Sequence, residues 1–192
     1  MFCISSAHYG STRAGRALYA ILIGVFLTGA ASPSEQPRWT VDEETVPLTG
    51  AVSVTASLPS NEALSNMIGQ PERAILVLRC RDNVLSAFIG WPEILYSDLT
   101  TFDGRPQTDI LWRLDDRPIS SNFWLRSDAG NAAGMFSTKP SAKLIEKLVV
   151  SKKLVVRMTG RVTQDATFIL GDIVNIAAKV GAPCGVSWTI KP

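Results

Sequence analysis

Histidine is almost missing from this chain: His8 is the single one among 192 residues. Cysteine is nearly as scarce, with only Cys3, Cys80 and Cys184. No glycine-rich loop able to cradle a phosphate is present, because Gly90, Gly104 and Gly171 each stand alone. The longest apolar run, residues 17–27, is shorter than the roughly 20 residues a membrane-spanning helix needs. Neither sign of charge dominates, with 19 basic against 17 acidic residues. These absences disfavour histidine-based catalysis and zinc binding, nucleotide loops, a long membrane anchor and nucleic acid as a partner.

Residues 1–31 have the order of a secretory leader. Arg13 and Arg16 form a basic region, residues 17–27 the apolar core, and the small residues at 28–32 offer cleavage after Ala30 or Ala31. The rival is an uncleaved anchor, which the short core and the early Pro33 disfavour. No cysteine stands at the cleavage point, so a lipoprotein is not expected. Cleavage removes His8 and Cys3. It also removes Arg13 and Arg16, so the 19 basic residues fall to 17, equal to the 17 acidic ones. The expected organisation is a signal peptide over 1–31, a polar leader over 32–38 and a single β-rich domain over 39–192. The expected location is the periplasm or the exterior, with no membrane span after cleavage.

About 160 mature residues suffice to bury roughly 70% of the unfolded surface. Residues 75–91 organise the rest: two strands flank Asp82-Asn83, residue types that tolerate left-handed backbone. Both strand faces are largely apolar, which predicts a central hairpin covered on both sides. Cys80 shares the more uniformly apolar face with Leu76 and Leu78. Its expected partner is Cys184, the only other cysteine left after export.

Alternation predicts further strands at 51–58, 108–114, 122–127, 153–159 and 166–170. Residues 58–72 are turn-rich, with a short helix around 61–67 an option. Residues 129–134 read as a small-residue loop. Leu144, Ile145, Leu148 and Val149 form a helical stripe behind Pro140, and a second helix spans 172–180, closed by Gly181. The pattern is mainly β, within the α+β class: an antiparallel β-sandwich or curled sheet with two packed helices.

Two constellations could carry chemistry. Asp115, Asp116 and Asp128 sit at ends of adjacent strands, where paired carboxylates can do acid/base work, although turn and capping roles explain them more simply. Arg79, Arg113, Arg126 and Arg157 occur one per strand, and Trp124 shares a face with Arg126. Such a face could hold an anionic ligand, a glycan or a partner. The plainer alternative is an outer sheet face whose arginines pair with Asp109, Asp115 and Asp165. The five tryptophans are spread one per segment, as core residues usually are.

Several short motifs run in sequence: Leu78-Arg-Cys80, Gly90-Trp91, Trp112-Arg-Leu-Asp-Asp116, Trp124-Leu-Arg-Ser-Asp128, Leu154-Val-Val-Arg157, Ala166-Thr-Phe168 and Ala182-Pro-Cys-Gly-Val-Ser-Trp188. On these the stretch from Trp39 to Trp188 resembles the VasI/TagO-like family, proteins encoded with type VI secretion systems and also found outside them. Trp112 stands where that family tends to have Tyr, and the Cys184-to-Trp188 spacing is longer than the family's ending. The resemblance implies an exported envelope protein with an accessory role and no established enzymatic activity. The expected partner is a cell-envelope protein, with secretion-system components as candidates, and no cofactor or metal is expected.

Overall fold

A computed structural model describes residues 36–95, 97, 99–159 and 163–188. The expected signal peptide and residues 32–35 of the leader lie outside this description. The strands are β1 (Thr40–Thr45), β2 (Val52–Pro59), β3 (Leu64–Ser65), β4 (Pro71–Glu72), β5 (Ile75–Arg81), β6 (Val84–Gly90), β7 (Gln107–Leu114), β8 (Ser120–Arg126), β9 (Ala132–Met135), β10 (Lys153–Thr159) and β11 (Thr163–Ile169). Helix α1 (Thr138–Leu148) precedes β10, and α2 (Ile173–Gly181) follows β11 and runs into a 3-10 turn over Ala182–Cys184. Nine strands form one antiparallel sheet in the order β1-β2-β5-β6-β9-β8-β7-β10-β11, and β3 pairs with β4 in a small separate hairpin.

The β5–β6 hairpin sits inside this sheet, as its sequence predicts. Asp82 and Asn83 have φ of 51° and 60°, the left-handed pair that a two-residue hairpin turn requires. Leu76 pairs with Ile89, Leu78 with Ala87 and Cys80 with Leu85, all on one face and essentially inaccessible to solvent. Each leucine buried this way contributes about 1.5–3 kcal/mol. The opposite face is not covered as expected: Ile75 and Val84 remain about 40% exposed (39% and 42%).

Both helices pack on the same side of the sheet. The stripe Leu144, Ile145 and Leu148 of α1 joins Ile173, Ile176, Ala177 and Val180 of α2 in one core with the inward residues of the strands. The fold is therefore a curled sheet holding two helices against one face.

The curl brings the two ends of the sheet together without closing it. Asn61 N–H donates to the Thr167 carbonyl and Thr167 N–H to the Glu62 carboxylate, both at 2.8 Å. Gln164 exchanges hydrogen bonds with the backbone of Ser65, and Trp39 Nε1 donates to the Leu170 carbonyl at 2.7 Å. The connection from β2 to β5 thus covers the edge of β11. This corrects the helix considered around 61–67: the segment carries β3 and edge-covering loops instead.

Two further expectations change for reasons of close packing. Residues 132–135 are a strand, not a loop, inserted between β6 and β8. A side chain at Gly134 would collide with Ala87 and the backbone of Phe88, so only small residues fit there. Gly181 does not end α2 by adopting a left-handed conformation, since its φ is −72°. It is small because Trp188 lies against it, and Gly185 at φ 65° makes the turn instead.

Cys80 and Cys184 are bonded, as expected, with alpha carbons 5.9 Å apart and 104 residues between them in sequence. The bond ties the 3-10 turn after α2 to the centre of the sheet.

Candidate functional site

The expected arginine and tryptophan face divides between the two sides of the sheet. Registers decide this, because residues paired across an antiparallel ladder point to the same side. Trp124 pairs with Thr108, which shares the buried side with Ile110, Trp112 and Leu114. Trp124 is only 2% exposed and is a core residue, not a ligand platform. Arg126 lies on the same side, half-buried, with Nη1 donating to the Leu95 carbonyl at 2.6 Å. These positions correct the expectation of one common face.

Arg113 and Arg157 do meet, on the outer side. Val155 pairs with Arg113 and Arg157 with Leu111, so the two arginines are diagonal neighbours on β7 and β10. Arg79 also faces outward, but four strands away in the sheet order, which is roughly 19 Å at normal strand spacing. Its guanidinium lies over Phe88, 5.4 Å from the ring centre, and its Nε is buried without a hydrogen-bond partner.

A shallow depression of about 170 Å³ opens on the outer side, lined by Leu111, Arg113, Ile119, Val155, Arg157 and Asp165 among others. Arg157 grips Asp165 through two bonds, Nε to Oδ1 and Nη2 to Oδ2, both 2.7 Å. Asp165 was among the acids expected to pair with these arginines. Arg113 is exposed, and its side chain makes no hydrogen bond or ion pair with a described residue. The site thus offers one neutralised arginine, one free arginine and an apolar floor. Alternation within β7 and β10 made the two arginines readable. The contributions of Ile119 and Val155 depended on the turn and register, which local sequence does not specify.

The hydrogen bonds from Arg157 hold the Asp165 carboxyl below its ordinary range, partly opposed by burial. A carboxyl depressed in the folded state stabilises above its unfolded titration, and the effect is lost as pH falls through the folded value. The pair is about half exposed, so its worth is about 0–1 kcal/mol. Arg157→Ala should therefore be slightly less stable than the parent near neutrality, by no more than about 1 kcal/mol, and the difference should shrink away in acid unfolding curves as pH falls below about 4.

Arg113 and Arg126 should behave differently on truncation. Arg113→Ala is expected to change stability by less than about 0.5 kcal/mol, as ordinary surface substitutions do. Arg126→Ala should cost about 1–3 kcal/mol, because the Leu95 carbonyl loses a charged donor in a half-buried position. Urea unfolding of the two variants reads the difference directly.

The three aspartates do not converge. Asp115 sits at φ 50°, and its Oδ1 accepts from the backbone N–H groups of Lys152 and Lys153, both at 2.9 Å. Those bonds, the Lys152 one foremost, hold its carboxyl below the ordinary range. Asp116 is exposed in the same turn, whereas Asp128 follows β8 at the far end of the ladder. The length of β8 separates them, about 20 Å. Asp115 therefore serves as a turn residue joining two connections. Among the described residues no group of three His, Cys, Asp or Glu is placed to hold a metal. No described helix is long and apolar enough to cross a membrane.

The tryptophans serve the core. Trp91 and Trp112 are buried, at 4% and 7% exposure. Trp112 Nε1 donates to Asn122 Oδ1 at 2.9 Å, and Trp188 Nε1 to the Ala142 carbonyl at 3.1 Å. No family model, curated protein or solved structure matches the chain.

Proposed function

We propose that this chain is an exported accessory protein of the cell envelope that acts by binding another protein and carries out no reaction of its own. The observation that carries the reading is the Cys80–Cys184 bond, in a chain whose first residues have the order of a secretory leader. Structural disulfides persist in oxidising compartments and are rare in the cytosol of mesophiles. The resemblance to the VasI/TagO-like family makes components of a type VI secretion system the partner class to examine first.

A second reading, a small-molecule or glycan-binding module, draws on the depression beside Arg113 and Arg157. Its volume of about 170 Å³ is below the roughly 300–1,000 Å³ of typical ligand pockets. The stacking tryptophan such a site would use is Trp124, which is buried in the core. A partner's acidic side chain suits the free Arg113 better than a sugar ring does.

Affinity purification of the tagged protein from its own envelope, after mild crosslinking, tests the proposal. It is expected to recover an envelope protein in constant ratio, with less recovered by Arg113→Ala. Recovery of the protein alone, or from the cytosol, would refute it.

A further inference from the structure

The two edges of the main sheet are treated in opposite ways. The edge of β11 is covered by the β2–β5 connection, through Asn61, Glu62 and Ser65. The edge of β1 is paired only with β2, and among the described residues no other strand pairs with its free side. An unpaired edge is a template for another strand, and proteins that have no use for it usually blunt or cover it. We propose that β1 accepts an extended basic segment of a partner protein as an added strand.

The ladder shows which groups are free. Val46 N–H donates to the Ala51 carbonyl, so residue 46 turns its main chain toward β2. Antiparallel pairs alternate, so Glu44, Asp42 and Thr40 also bond β2, opposite Ser53, Thr55 and Ser57. Ser60 N–H bonds the Ala74 carbonyl, which gives β2 the matching phase on its other side. Val41, Glu43 and Thr45 therefore turn their N–H and C=O groups outward, with no backbone partner among the described residues.

Side chains set the partner's chemistry. Asp42 and Glu44 project on the outer side of the sheet, exposed and without ion-pair partners among the described residues. Glu43 projects to the helix side, where Lys179 of α2 neutralises it at 2.6 Å. Val41 packs against the core beside it. A strand laid along β1 would place alternate residues opposite Asp42 and Glu44, and lysine or arginine there gains opposite-charge pairs. Its remaining residues would face the helix side, where an apolar residue suits Val41. The segment that fits is thus one alternating basic with apolar or neutral residues. A second copy of β1 does not fit, since acids would stand against acids. The same charges reject neutral or acidic strands, so the edge selects rather than aggregates.

This surface names the kind of partner for the accessory role proposed above, and it rests on that role only in requiring a protein partner. The probe is a short synthetic peptide alternating lysine with valine and threonine, compared with its glutamate counterpart by fluorescence anisotropy at low salt. The lysine peptide should bind, and the glutamate peptide should bind at least about tenfold more weakly. Glu43→Pro removes an outward N–H without touching the ladder to β2, a position where an edge strand tolerates proline. It should weaken the lysine peptide about tenfold or more. Glu43→Gln, which loses the same salt bridge to Lys179, should stay within about threefold of the parent. Asp42→Lys with Glu44→Lys should reverse the preference toward the glutamate peptide. Equal binding of the two peptides, or unchanged binding by Glu43→Pro with its fold intact by circular dichroism, would overturn the proposal. If Glu43→Pro still recovers the envelope partner, the edge assignment fails while the accessory role stands.

Discussion

Replacing Cys80 and Cys184 together with alanine should lower the free energy of unfolding by about 2–5 kcal/mol while leaving the sheet able to form. The bond spans 104 residues, a loop whose closure entropy in the unfolded chain corresponds to about 4–5 kcal/mol. The double substitution avoids leaving a lone reactive thiol. Cys80 lies at 1% exposure between Val54 and Leu85, so alanine there also leaves a small void. The sheet's own core, from Leu58 to Phe168, does not depend on the bond and should still assemble. What the bond holds is the C-terminal turn after α2, which packs Val186 and Trp188 against the core. Guanidinium unfolding followed by tryptophan fluorescence and by far-ultraviolet circular dichroism measures the loss. A change below about 1 kcal/mol would mean that the turn is held by packing alone.

Gly134→Val should be the most damaging single substitution in the sheet, costing at least about 3 kcal/mol or preventing folding. Gly134 pairs with Phe88 on β6 and with Leu125 on β8, so β9 is the seam that joins the two halves of the sheet. A Cβ there would fall well inside contact distance of the Ala87 carbonyl oxygen and of Phe88. Those atoms are backbone or attached directly to it, so no rotamer change relieves the clash. The strand would have to leave the ladder, taking the Ser141 hydrogen bond to the Met135 carbonyl with it. Gly90→Ala is the matched control. Its nearest new contact would be at 3.9 Å, an ordinary van der Waals separation, and its effect should stay within about 1 kcal/mol. Soluble yield and thermal unfolding of the pair decide between a packing clash and a general intolerance of β-sheet glycine substitutions.

The contrast between these two sites shows what the amino-acid sequence carried. Strong local periodicity marked β5, β6, β7, β10, α1 and α2, and the Asp82-Asn83 turn fixed one hairpin. Counting the cysteines outside the expected leader identified the disulfide. Four strands escaped: the two-residue β3 and β4, and the longer β1 and β9. In β1, Asp42, Glu43 and Glu44 hide the alternation because the strand is exposed on nearly every residue. In β9 the residues are Ala, Ala, Gly and Met, and their smallness reflects neighbours 40 or more residues away in sequence. The candidate face failed for a related reason. Alternation says which residues of one strand share a side, but the ladder says which sides of different strands agree. Arg113 and Arg157 agree through Val155 and Leu111, whereas Trp124 and Arg126 fall on the opposite side through Thr108 and Ala133. No local pattern in β8 signals that register, since Phe123 is exposed and Trp124 buried although both are aromatic.

The account of an exported, disulfide-stapled binding domain is tested most directly by intact mass spectrometry of the protein recovered from its own cells. The unfolded, unreduced protein is treated with an alkylating reagent before it is weighed. The account predicts a chain beginning near Ala31 or Ser32, found with the envelope, to which the reagent adds nothing. A full-length chain bearing alkyl groups on Cys3, Cys80 and Cys184 would contradict it.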